Sequence, residues 1–77
     1  LDVRDPDEHK EGAIPGSILI PLNQLRARLG EVPKDKPVVT YCQVGLRGYL
    51  AARILSQHGY DVRNLSGGYN TYRACRP

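Results

Sequence analysis

The segment VVTYCQVGLRGYLAARIL, residues 38–55, decides how the chain folds. It opens on a β-branched run, VVTY, and closes on apolar residues that recur at helical spacing. Between them lie Cys42 and, five positions later, Arg47. The continuous apolar run predicts a strand covered on both faces, the kind that a parallel sheet contains. The segment after it predicts a helix starting near Arg47. Leu46, Leu50, Ala51, Ile54 and Leu55 line one face, with Arg53, Ser56 and Gln57 outside that stripe. Gly59 supplies the C-terminal cap.

The same alternation extends in both directions. LDVR (1–4) predicts a short strand. DPDEHKEG (5–12) predicts one or two helical turns, with Asp5 as N-cap, Pro6 at the first helical position and Gly12 at the end. AIPGS turns at Pro15-Gly16. SILIP (17–21) predicts a brief strand ended by Pro21, which cannot donate to a ladder. Asn23 then caps a helix over LNQLRARLG (22–30), with Leu22, Leu25 and Leu29 on one face. EVPKDKP (31–37) is a polar connection. DVRNL (61–65) predicts another strand, SGG (66–68) a loop, and YNTYR (69–73) the start of a last helix. Strands and helices in alternation with short loops predict an α/β domain around a mostly parallel central sheet. At 77 residues the prior is one domain. Since Leu1 already falls in an expected strand, the chain is expected to be a fragment of a longer one, with one or two N-terminal elements missing.

Composition excludes several classes. The net charge is +3, but Arg4, Arg26, Arg28, Arg47, Arg53, Arg63, Arg73 and Arg76 are scattered, where nucleic-acid binding wants a basic stripe with stacking aromatics. No apolar run approaches the length of a membrane-spanning helix. Two cysteines, Cys42 and Cys75, make no disulfide framework, and no Cys/His cluster has zinc spacing. A lone thiol at a reactive site fits a reducing, cytoplasmic setting.

If VVTY is a central strand, Cys42 lies just past its C-terminal edge, where open α/β sheets place their ligands. Residues 42–47 then wrap around a helix N-terminus, whose N–H groups lack intrahelical partners and carry partial positive charge. Thiols at helix N-termini have lowered pKa values and are better nucleophiles near neutral pH. Gly45 lets the backbone turn N–H groups toward the sulfur. Arg47 adds fixed charge and a planar fork of donors. The plainer alternative is a buried strand-end cysteine beside a solvent-facing arginine. An isolated Cys-x4-Arg would favour that alternative, but here the motif sits at the strand-to-helix junction that the chemistry requires.

Three separated motifs give the chain its family resemblance. LDVRDPDEHKEGAIPGSILIP resembles the N-terminal signature of rhodanese-homology domains, YCQVGLRG their active-site loop, and NLSGGYNTY their closing Gly-Gly segment. The resemblance implies a three-layer fold with helices on both faces of the sheet. It also implies a sulfurtransferase in which Cys42 becomes a persulfide and passes on sulfane sulfur. Donors would be a persulfide, polysulfide or thiosulfate, and the acceptor a thiol or other nucleophile. Rhodanese-fold phosphatases have the longer Cys-x5-Arg loop, so a phosphatase is the weaker enzymatic alternative. An inactive docking module is the non-enzymatic one, against which Cys42, Gly45 and Arg47 speak together. Gln43 stands where many members carry Arg, Gly48 where Ser or Thr is frequent, and Ala13 where His is common. With Gln43, Val44 and Leu46 as a neutral rim, the loop suits a persulfide or polysulfide better than thiosulfate. CQVGLRGYLAARIL and NLSGGYNTY are also similar to the C-terminal rhodanese modules of flavin-dependent coenzyme A-disulfide and persulfide reductases. That similarity implies no cofactor in this domain itself. Flavin and coenzyme A would belong to a fused or partner reductase.

The remaining candidates are supporting ones. Asp2 and Arg4 share one side of the first strand and suit an ion pair or an anchor for the cysteine loop. His9 is expected to face solvent, and His58 to interact with a helix C-terminus. Tyr69 and Tyr72 either wall the pocket or pack on the sheet. Cys75 reads as a free surface thiol.

Overall fold

The computed structural model describes residues 1–75; Arg76 and Pro77 lie outside the described residues. The elements run α1 (Pro6–Glu11), β1 (Val38–Thr40), α2 (Leu46–Gln57), β2 (Val62–Asn64) and α3 (Gly68–Ala74), with two 3₁₀ segments, Leu22–Gln24 and Arg26–Glu31, between α1 and β1. β1 and β2 pair in parallel, Val38 opposite Val62 and Thr40 opposite Asn64. Single parallel bridges extend this pair outward, Tyr41 to Asp2 and Asp2 to Leu19. This is an α/β domain, with a right-handed crossover expected for α2 between its parallel strands.

The local signals at α1 and α2 act as their chemistry dictates. At α1 the Asp5 N–H donates to Glu8 Oε1 at 3.0 Å, and Pro6 occupies the first helical position. At the end of α2, Gly59 has φ +84°. Its N–H reaches the Ser56 carbonyl, and the Tyr60 N–H that of Leu55, both at 3.1 Å. That is a Schellman ending.

Four sequence expectations need correction. LDVR and SILIP are not strands; Asp2 makes two isolated bridges, to Leu19 and to Tyr41, and Leu19 only the one to Asp2. The chain leaves Asp2 almost at once for the Asp5-Pro6 helix start, and Pro21 cuts the second ladder short. Residues 22–30 are not an Asn23-capped α-helix. Pro21 precedes a 3₁₀ turn that contains Asn23, and Arg28 breaks the following one at φ −114°. The period-three pair Leu22 and Leu25 suits the tighter helix. VVTY is not covered on both faces, because Val39 is 50% exposed. Finally, α2 faces the core with Gly48, Ala51 and Leu55, while Leu46 and Leu50 are exposed. Glycine carries no hydropathy signal, so a hydropathy pattern finds Ala51 and Leu55 on the core face but not Gly48.

The core is one cluster: Val3, Ile20, Leu25, Val32, Val38, Cys42, Ala51 and Leu55. Val38 and Thr40 point to the α2 side, where the Thr40 hydroxyl donates to the Gly48 carbonyl at 2.8 Å. The opposite face is covered at Tyr41, which lies beside Tyr69 with ring centroids 6.4 Å apart, and is open at Val39. Leu55 has no exposed surface, and truncating such a residue to Ala costs about 2–5 kcal/mol.

Candidate active site

Cys42 follows Tyr41 directly, at the C-terminal edge of the sheet, and α2 begins four residues later at Leu46. The loop between them folds back on the sulfur. Gly45 adopts φ +126°, a conformation that side chains resist, and its N–H donates to Cys42 Sγ at 3.0 Å. The sulfur is therefore buried at the start of α2, with Cys42 only 1% exposed.

Other elements hold the loop from three sides. Arg4 is 1% exposed and binds Asp2 through Nε (3.0 Å) and Nη2 (2.9 Å), while Nη1 donates to Gln43 Oε1 at 2.9 Å. Asp2 also accepts from the Tyr41 hydroxyl at 3.0 Å and lies 2.8 Å from His9 Nδ1. Burial works to raise the Asp2 pKa, but the bonds from Arg4 and His9 outweigh it and hold the carboxyl below its ordinary value. Asp2 and Arg4 thus reach the loop through Gln43. His9 faces Asp2 rather than solvent, a correction to its expected place: the short helix α1 turns it back over the first residues.

The start of α3 supplies the second support. The Tyr69 and Asn70 N–H groups donate to the Cys42 and Gln43 carbonyls at 2.7 and 3.0 Å. These helix N-terminal donors would otherwise lack partners. The approach is so close that a Cβ on Gly68, at φ +61°, would run into the Cys42 carbonyl oxygen. Gln43 Nε2 also donates to Asn70 Oδ1 at 2.6 Å, so Gln43 is tied down rather than a free part of the rim. The third support is β2: Asn64 Nδ2 donates to the Gly45 carbonyl at 3.1 Å.

Arg47 does not turn its fork into the loop. It grips both Glu8 oxygens of α1, at 2.7 and 2.9 Å. That pairing, helped by the Asp5 N–H against partial burial, lowers the Glu8 pKa to about 2. Val44 and Leu46 form an exposed apolar rim, 66% and 67% accessible. Gly48 does not join them. It is buried on the core side of α2 against Asn64 and the Tyr41 backbone. Tyr69 lines a polar cavity of about 300 Å³ with Arg4, Glu8, Gln43 and Arg73, while stacking on Tyr72. His58 Nδ1 lies 2.8 Å from the Ile54 carbonyl in the last turn of α2. Cys75 is exposed and free.

Sequence reasoning missed Glu8, Asn64, Gly68 and Asn70. Glu8 had a signal, since Asp5-x-x-Glu8 has the spacing of a capping box. Gly67-Gly68 had one too, as consecutive glycines ahead of a helix. Asn64 and Asn70 had none.

The family model for the rhodanese-like domain matches residues 1–75. The chain belongs to the rhodanese-like family. Among its relatives is a sulfurtransferase of Allochromatium vinosum, 44% identical over 88% of this chain and 64% of that protein. The crystal structure of reduced Bacillus anthracis CoADR-RHD matches 92% of the chain with a TM-score of 0.88 and 56% identity, over 13% of that protein. A NAD-dependent persulfide reductase from A. fulgidus matches 87% with a TM-score of 0.76 and 43% identity, over 12% of its own length. The rhodanese-like domain here thus spans less than two thirds of the first relative and a small part of the two reductase-type proteins. Sulfurtransferases among the relatives support sulfur transfer at the level of the family. No helix among the described residues is long and apolar enough to cross a membrane.

Proposed function

We propose that this domain is a sulfurtransferase that carries sulfane sulfur as a persulfide on Cys42. The observation that carries this reading is the Gly45 N–H aimed at Cys42 Sγ from 3.0 Å, in a loop at the N-terminus of α2. Loading begins with the Cys42 thiolate attacking the outer sulfur of a donor R–S–SH. A new S–S bond forms, the donor's S–S bond breaks, and R–S⁻ leaves with the electron pair. An acceptor thiolate then attacks the outer sulfur on Cys42, and Cys42 leaves as thiolate in turn. Backbone donors and the α2 N-terminus stabilise negative charge on whichever sulfur departs.

The exposed rim supports persulfides and polysulfides as donors over thiosulfate. Val44 and Leu46 offer a dianion no charged partner, and Gln43 is engaged with Arg4 and Asn70. Arg47 already holds a carboxylate, which disfavours a phosphatase that needs its arginine on phosphate. The likeness to reductase-type proteins supports a fused or partner flavin-dependent reductase in a reducing, cytoplasmic compartment. Intact-mass spectrometry tests the reading. After polysulfide treatment the domain should gain one sulfur, mapped to Cys42 and absent in Cys42→Ala, and a thiol should remove it. Sulfur found only on Cys75, or none after any donor, would leave a docking module as the better account.

A further inference from the structure

Gly45 uses both of its backbone polar groups at the site. Its N–H donates to Cys42 Sγ at 3.0 Å. Its carbonyl accepts twice, from the Tyr49 N–H at 2.9 Å and from Asn64 Nδ2 at 3.1 Å. Glycine is the residue whose backbone is least restrained by its own sterics. At φ +126°, nothing intrinsic to Gly45 keeps its N–H on the sulfur. The restraint comes from the two donors on its carbonyl. Tyr49 belongs to α2 itself, so Asn64 is what ties this peptide to the sheet.

Thr40 stands opposite Asn64 in the β1–β2 ladder. Its hydroxyl also donates to a carbonyl near the start of α2, that of Gly48 at 2.8 Å. Two neighbouring sheet residues thus clamp the start of one helix, but only Asn64 acts on the residue whose N–H meets the sulfur. Its amide destabilises the fold at its other end. A carbonyl can only accept, so the NH₂ group faces Gly45. Oδ1 is buried without a hydrogen-bond partner among the described residues. It lies so close to Gly48 that a Cβ there would overlap it. A buried acceptor left unpaired costs stability. Folding alone would favour an apolar side chain of the same shape, because the Gly45 carbonyl keeps its bond from Tyr49 without Asn64.

We propose that Asn64 is a positioning residue for sulfur transfer: its amide, held from β2, fixes the Gly45 peptide so that the Gly45 N–H stays on the Cys42 sulfur as charge gathers there. The inference rests on the sulfur-transfer reading above and adds a residue that sets the rate of its steps. On loading, the Cys42 thiolate attacks the donor's outer sulfur, a new S–S bond forms and R–S⁻ leaves. On discharge, the acceptor thiolate takes that outer sulfur and Cys42 departs with the electron pair. A donor N–H already in place stabilises the charged sulfur without reorganising at the moment of reaction. Asn64 bonds to Gly45 and packs on Gly48, not on the sulfur. Its loss should therefore lower the limiting rate and leave donor binding unchanged.

The test compares the parent with Asn64→Leu, Asn64→Asp and Thr40→Val. Polysulfide loading of Cys42 is followed by peptide mass spectrometry over a range of donor concentrations, with the urea midpoint of each protein. Asn64→Leu removes the donor and the unpaired acceptor together, so its midpoint should stay near the parent's. Its limiting rate should fall at least about tenfold, at an unchanged half-saturating concentration. Thr40→Val should show the reverse, a lower midpoint with the parent's rate. If circular dichroism shows that Asn64→Leu does not fold, Asn64→Asp carries the comparison, since it keeps the shape and loses the donor. A parent-like limiting rate in the Asn64 variant would overturn the proposal. So would an equal fall in Thr40→Val, or a change confined to the half-saturating concentration. A parent that loads no sulfur on Cys42 would instead count against the sulfur-transfer reading. Alkylation of Cys42 by iodoacetamide, with the exposed Cys75 as internal reference, then decides the Asn64 role by the same comparison of rates.

Discussion

The two ends of the cysteine loop are held by arginine–carboxylate pairs of opposite character. At the Gln43 end, Arg4 and Asp2 are 1% and 0% exposed, and every polar atom is bonded inward. At the α2 end, Arg47 and Glu8 have side chains 34% and 31% exposed. Both pairs are forked and both link the N-terminal segment to the loop. Removing one partner of a buried pair strands a charge without water, whereas a solvated ion finds water at once. The Gln43 end is therefore fixed by the fold itself, and the α2 end can yield without unfolding the domain.

The sharpest way to break this comparison is at Arg4. Arg4→Met leaves Asp2 charged and buried, and should cost about 3–5 kcal/mol. Natural domains are stable by only about 5–15 kcal/mol, so Arg4→Met should be largely unfolded or melt far below the parent. Adding Asp2→Asn removes the stranded charge and should recover part of the loss. Arg47→Ala should cost no more than about 1 kcal/mol. Urea unfolding of the four proteins checks this, and equal losses for Arg4→Met and Arg47→Ala would erase the distinction between the two ends.

A smaller effect should come from the second support, the α3 start. At Gly68 an added Cβ meets the Cys42 carbonyl, and the left-handed backbone adds strain, together about 1–3 kcal/mol. The Cys42 backbone has to move to relieve it. Gly68→Ala should still fold, yet load sulfur at least tenfold more slowly, about 1.4 kcal/mol of barrier. Gly30 is the control, because nothing lies within 4 Å of its Cβ position and its φ is ordinary. Gly30→Ala should leave loading unchanged. An unimpaired Gly68→Ala would show that α3 does not set the position of the sulfur.

The legible parts of this molecule were those governed by local chemistry. Asp5-Pro6, Gly59 and Gly45 each announce a backbone event, and the structure has a helix start, a helix end and a loop reversal there. The order of elements from β1 onward follows from the same signals. The parts that escaped depend on who meets whom across the chain. Nothing local says that Arg47 closes on Glu8, thirty-nine positions earlier, or that Asn64 reaches the Gly45 carbonyl. Val39 is a β-branched residue in a β-branched run, so its sequence cannot tell that its face stays open. Gly48 shows the same limit in reverse: its backbone packs tightly because it has no side chain, and hydropathy assigns it to neither face.

The finest probe of the comparison is the acid stability of the α2 end. Glu8 has its pKa lowered from 4.5 to about 2 by the Arg47 fork. A carboxyl depressed on folding gives stability that is present above its unfolded pKa and is lost as pH falls through the folded one. The Glu8 contribution should therefore be full above about pH 5, and decline between 4.5 and about 2. The pair is a third exposed, so solvent screening limits it to about 1 kcal/mol or less. The parent's own acid curve sums over all its carboxylates and cannot isolate Glu8. Glu8→Gln can. It keeps the side chain's shape and one acceptor for Arg47 but has no proton to bind. The urea midpoints of the two proteins should differ most at pH 6 and converge toward pH 2. The sulfur-loading rate should change little, since the α2 end can adjust. A gap that stays constant with pH would mean that Glu8 acts through packing rather than charge. A collapse of loading in Glu8→Gln would show that the exposed pair fixes the loop as firmly as the buried one.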